Sequence, residues 1–160
     1  MGKAYRSVDQ RRPAGMPRPF RILHVEDDDV HAELVRRTLM REVPAIELER
    51  VADGAEAQER LFGGHGHPQP DLILLDLKLP KVDGHEILAM VKGDERLRVI
   101  PVVVLTTSDQ EADVQRAYAE HANSYLVKPV SFPQFRSLLA QLKQYWMTWN
   151  RAVPPARAVG

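Results

Sequence analysis

The chain has 160 residues, 44% of them apolar and 28% charged, which suits one globular domain with a real core and excludes wholesale disorder. It contains no cysteine, so a disulfide scaffold, a thiolate metal site and a cysteine nucleophile are all excluded. The 22 basic and 22 acidic residues cancel overall but are unevenly spread: residues 1–19 carry net +4 through Lys3, Arg6, Arg11, Arg12 and Arg18, while the stretch up to residue 149 carries net −6.

The basic arm has no interleaved aromatic residues and no amphipathic period, so neither nucleic acid nor a membrane surface is expected as its partner, and a solvated tail is. Met16, behind Pro13, is a possible native start. No apolar run approaches the roughly 18 residues that span a bilayer, and no signal peptide opens the chain. The expectation is a soluble, cytoplasmic protein with an arm over 1–19, one domain over 20–149 and a tail over 150–160.

Within 20–149, short apolar runs alternate with longer segments of helical period. The runs are Ile22–Val25, Ile46–Val51, Leu72–Leu75, Val102–Leu105 and Ser124–Val127, and the helical segments cover 29–41, 54–62, 84–92, 110–121 and 132–149. The third and fourth runs do not alternate with polar residues, as expected of parallel strands covered on both faces. Strict β-α alternation with right-handed crossovers predicts a three-layer α/β domain. Between the second helix and third strand, Gly63–Pro68 reads as a loop, because two histidines, His65 and His67, make a weak metal site without a third ligand.

Ligands of open parallel sheets bind beyond the carboxyl ends of the strands. There the first strand delivers Glu26, Asp27 and Asp28, the third Asp76, the fourth Thr106-Thr107-Ser108 and the fifth Lys128-Pro129; the second offers only Ala52 and Asp53, which places it to one side. Asp28 or Asp29 caps the first helix. Several carboxylates converging on one edge repel one another unless a cation holds them, and hard oxygen ligands suit Mg²⁺. Asp76 is the candidate nucleophile for an aspartyl phosphate, Glu26 and Asp27 the candidate metal ligands, Thr106 a hydrogen-bond donor to a phosphoryl oxygen and Lys128 a balancing ammonium.

These residues resemble a known family. Val25-Glu26-Asp27, the run Leu72 through Pro80 with Asp83-Gly84, Val-Leu-Thr-Thr at 104–107 and Tyr125-Leu126-Val127-Lys128-Pro129 look like the receiver domain of two-component response regulators. The resemblance implies a flavodoxin-like sheet of order 2-1-3-4-5 and phosphorylation at Asp76 by a sensor histidine kinase. It also implies Mg²⁺ held by Glu26, Asp27, Asp76 and the carbonyl of Lys78, a switch pair of Thr106 and Tyr125, and a cis Lys128–Pro129 bond. Lys78 and Ser108 flank the attacking water's path and Thr107 is bulkier than usual after the switch threonine. The stretch Leu77 through Glu86, Ile100 through Ser108 and the long loop before the third strand narrow the resemblance to stand-alone regulators of phytochrome-like kinases.

Two other readings compete. A phosphatase of haloacid-dehalogenase type would need a D-x-D pattern after the first strand, which Asp76-Leu77-Lys78 breaks. A phosphorylation-independent interaction module would not need the acids, threonine and lysine. With ten residues after Asn150, the expected output passes through an unidentified downstream protein. Finally, Phe132, Phe135, Leu138, Leu139, Leu142, Tyr145, Trp146 and Trp149 recur at helical spacing over about 27 Å. The core explains Phe135, Leu138 and Leu142, and Tyr145, Trp146 and Trp149 predict a homodimer interface, the alternative being burial under the chain's own N-terminal arm.

Overall fold

The computed structural model describes residues 18–41, 46–64 and 66–154; His65, most of the basic arm and the end of the tail lie outside them. Five strands and five helices alternate: β1 (Phe20–Val25), α1 (Asp29–Leu39), β2 (Ile46–Val51), α2 (Gly54–Phe62), β3 (Leu72–Leu75), α3 (Gly84–Gly93), β4 (Val102–Thr106), α4 (Glu111–Ala119), β5 (Ser124–Val127) and α5 (Phe132–Gln144). All strand pairs are parallel and the order is β2-β1-β3-β4-β5, the expected flavodoxin-like arrangement. β3 and β4 are buried along their whole length, because helices cover both faces of the sheet.

The pleat sorts alternate strand residues into two cores. Leu23, Val25, Ile73 and Leu75 pack with Ala57 of α2 and Ile87 and Leu88 of α3. Ile22, Leu72 and Leu74 pack with Val35 and Leu39 of α1 and Phe135 and Leu139 of α5. Each helix that leaves the site edge near β1, β2 and β3 opens on an aspartate cap, whose carboxylate satisfies an orphan N–H: Asp28 accepts from His31, Asp53 from Glu56 and Asp83 from His85. Gly84 is required by contact. A Cβ there would lie 2.2 Å from the carbonyl oxygen of Asp76, so no larger residue lets α3 start against the β3 end.

Two expectations are corrected. The last helix does not run as α-helix to Trp149; α5 ends at Gln144 and a π-helical turn covers Tyr145–Trp149, closed by the Asn150 N–H reaching back to the Tyr145 carbonyl at 2.8 Å. The wider turn rotates Trp149 off the stripe that Phe135, Leu139 and Leu142 set. Trp146 and Met147 therefore pack on the second core, whereas Tyr145 and Trp149 are 53% and 72% exposed. The Lys128–Pro129 bond is also not cis, since no cis peptide occurs among the described residues. The trans isomer is the lower in energy before proline, and in this backbone it already delivers the lysine to the site. No helix among the described residues is long and apolar enough to cross a membrane.

Candidate functional site

The loop from β1 to α1 is held from three sides. Glu26 is fully buried; its Oε1 accepts the Asp28 N–H at 3.2 Å and its Oε2 accepts Lys128 Nζ at 2.7 Å. From β2, Arg50 donates Nε to the Glu26 carbonyl at 3.0 Å and pairs with Asp29 at 2.7 Å. Asp27, between these anchors, is exposed. The edge strand β2 thus reaches the site after all, through a side chain instead of its terminal residues.

Asp76 follows β3 and is buried, with its N–H donated to the Val25 carbonyl. Its Oδ1 accepts the Lys78 backbone N–H at 3.2 Å and its Oδ2 accepts Lys128 Nζ at 3.0 Å. Lys128, also buried, is therefore a bridge between two carboxylates. Carboxylate oxygens of Glu26, Asp27 and Asp76 lie within 4.8 Å of one another. Burial pushes the Glu26 carboxyl up to about 7, against the pull of the Lys128 ammonium. The set is crowded, anionic and made of hard oxygen donors, and it fits Mg²⁺ or Mn²⁺.

The hydroxyl candidates meet at one residue. Thr106 is buried at the end of β4, and its Oγ1 accepts the Ser108 N–H at 3.3 Å. The Tyr125 hydroxyl donates to the Ser108 carbonyl at 2.8 Å, and the Ser108 hydroxyl donates to Asp113 of α4 at 2.5 Å. This bond, first, and then His85 hold the Asp113 carboxyl below its ordinary value. His85 itself is buried on α3, with Nε2 3.3 Å from Asp113 and Nδ1 3.1 Å from Glu120. Thr107 is exposed, as is Lys78.

Sequence reasoning did not single out His24, His31, Arg50, His85 or Asp113 for this site. His24 is buried on β1 with neither ring nitrogen hydrogen-bonded, and burial holds it down to about 3. Arg50 alternates along an exposed strand, and His31 and His85 sit inside helical patterns, so nothing local marks them. A buried-face histidine one residue before Val25 was the one available signal. Of the loop histidines, His67 is exposed and His65 lies outside the described residues.

This arrangement of acids, threonine and lysine on a 2-1-3-4-5 sheet coincides with a match of residues 22–140 to the response regulator receiver domain. The chain belongs to the response regulator receiver family. It is 49% identical over 140 residues to the probable methanogenesis regulatory protein FilR2 of Methanothrix harundinacea, covering 86% of this chain and 90% of that one. The crystal structure of the phosphorylated cyanobacterial phytochrome response regulator RcpA superimposes with TM-score 0.83 at 36% identity, over 86% of this chain and all of that one. The Mn²⁺-bound form of response regulator Rcp1 gives TM-score 0.81 at 38% identity, over 84% and 99%. Receiver-domain regulators are signalling proteins of two-component systems, which interact with histidine kinases and bind Mg²⁺ or Mn²⁺ at an acidic site.

Proposed function

We propose that this receiver takes a phosphoryl group onto Asp76 from the phosphohistidine of a phytochrome-like sensor kinase in the cytoplasm and signals through a downstream protein. The observation that carries the reading is the buried Lys128 ammonium 3.0 Å from Asp76. An ammonium confined there orients the nucleophile and stands ready to offset the charge of an arriving phosphoryl group. In the transfer, an Asp76 oxygen forms the new P–O bond as the P–N bond to the kinase histidine breaks. The electron pair of that bond stays on the histidine nitrogen.

Glu26, Asp27, Asp76 and the Lys78 carbonyl would hold Mg²⁺, which when bound neutralises the carboxylates and the phosphoryl oxygens. Thr106 supplies a hydroxyl that can donate to a phosphoryl oxygen while its Oγ1 goes on accepting the Ser108 N–H. Lys128 takes no proton in the step; it orients and neutralises. The likeness to RcpA, a phytochrome response regulator, favours a phytochrome-like donor, and the competing reading is a kinase of another kind, since FilR2 is a probable methanogenesis regulatory protein. Label transfer from a purified phytochrome-like kinase with ATP and Mg²⁺ tests this. The wild type should gain label and Asp76→Asn should gain none. Undiminished labelling of that variant would reject Asp76, and labelling by a non-phytochrome kinase alone would reject the donor.

A further inference from the structure

The Lys128 ammonium has a third contact that neither metal binding nor the family motif uses. Its Nζ lies 3.1 Å from Nδ1 of His31, on α1. An ammonium has three N–H donors and no acceptor, and the three partners are Glu26, Asp76 and His31. Nδ1 must therefore be the acceptor, with the ring proton on Nε2. The same nitrogen is 4.0 Å from Glu26 and 3.9 Å from Asp28, beyond hydrogen-bond range, so the lysine contact governs the tautomer.

The ring is fixed from both ends. The His31 backbone N–H is donated to the Asp28 cap at 2.9 Å, and the ring meets Phe135 of α5 edge-on at 5.8 Å. Phe135 is buried, so α5 sets the ring's angle. Building on the phosphoacceptor reading, we infer that His31 is a positioning residue for Lys128. A lysine has four rotatable bonds and would otherwise be held by two carboxylates alone. A third carboxylate in that position would hold it too, but would cancel the positive charge the phosphoryl group needs. A neutral imidazole orients the ammonium without neutralising it.

The test compares His31→Leu, which removes the acceptor, with His31→Asn, whose side-chain oxygen restores one near Nδ1. With acetyl phosphate and Mg²⁺ as the probe, His31→Leu should be phosphorylated about tenfold more slowly, the effect of one hydrogen bond to a charged group, and His31→Asn should recover to within about twofold. Thermal midpoints of all three proteins show whether the fold is intact. Wild-type rate in His31→Leu overturns the inference, and so does an Asn variant as slow as the Leu variant at equal stability. Nitrogen-15 NMR near pH 8, where an ordinary histidine is neutral, gives a readout without phosphorylation: Nε2 should carry the ring proton, and a proton on Nδ1 overturns the contact. Failure of the wild type to accept phosphate would overturn the functional reading instead, and the ring-nitrogen assignment would still decide the contact.

Discussion

The Tyr125 hydroxyl donates to the carbonyl of Ser108 at 2.8 Å, across the gap between β5 and the loop after β4. The same residue's N–H is donated to Thr106, so both proposed switch side chains are tied to one loop residue. If phosphorylation at Asp76 draws in Thr106 as proposed, the loop carrying Ser108 follows it and the tyrosine loses its acceptor, so the bond is expected in the unphosphorylated state alone. Removing it in Tyr125→Phe should favour the switched state by the worth of one hydrogen bond, about 0.5–1.5 kcal/mol. Beryllium fluoride titrated in the presence of Mg²⁺ should bind this variant about two- to tenfold more tightly, and unchanged affinity would show that the bond survives switching.

His85 extends that tie to α3. Its ring nitrogens lie 3.3 Å from Asp113 and 3.1 Å from Glu120, so one imidazole on α3 spans two carboxylates of the α4 segment. His85→Gln, which cannot reach both carboxylates with donors, should lower the unfolding free energy by about 1–2 kcal/mol, and should loosen α4, seen as faster amide exchange in 111–119.

The sheet was legible because β3 and β4 are unbroken apolar runs, and the site edge because Asp76, Thr106 and Lys128 each follow such a run directly. Contacts made by residues inside regular elements were not legible. Arg50 reads as the polar face of an edge strand, and His31 as one more residue of an amphipathic helix; only the docking of α1 on α5 turns the ring toward Lys128. The π-helical turn was hidden for a related reason. Apolar spacing near the end of α5 is compatible with either turn width, and the choice depends on whether Trp146 can reach the second core.

That choice divides the aromatic residues proposed for a homodimer. Trp146 packs on the core, with its ring edge-on to Tyr145 at 5.1 Å, whereas Trp149 projects from the last turn. Trp149→Ala should leave unfolding unchanged within about 0.5 kcal/mol and, on the homodimer proposal, sediment as a monomer where the wild type sediments as a dimer. Trp146→Ala should instead cost about 2 kcal/mol, less than for a fully buried tryptophan. A wild type that sediments as a monomer at micromolar concentration removes the interface altogether.

Two residues of one short segment should set opposite pH limits on stability. Glu26 titrates near 7 when folded, above its ordinary 4.5. Its raised value favours the protonated form, so the stability it lends is complete below about 4.5 and is lost as pH rises through 7. His24 titrates near 3 when folded, below its ordinary 6.5. Its neutral form is the favoured one, so its share is present above about 6.5 and is lost as pH falls toward 3. In metal-free buffer the chain should be most stable between these limits. Glu26→Gln should flatten the alkaline limb and His24→Leu the acid limb. His24→Leu should also raise stability by about 1 kcal/mol, because it removes two buried ring nitrogens that have no hydrogen-bond partner. Mg²⁺ must displace the Glu26 proton, so its affinity should climb up to about tenfold per pH unit below 7 and level off above it. Isothermal titration at a series of pH values checks this slope, and a flat profile would mean that Glu26 does not exchange its proton for the metal.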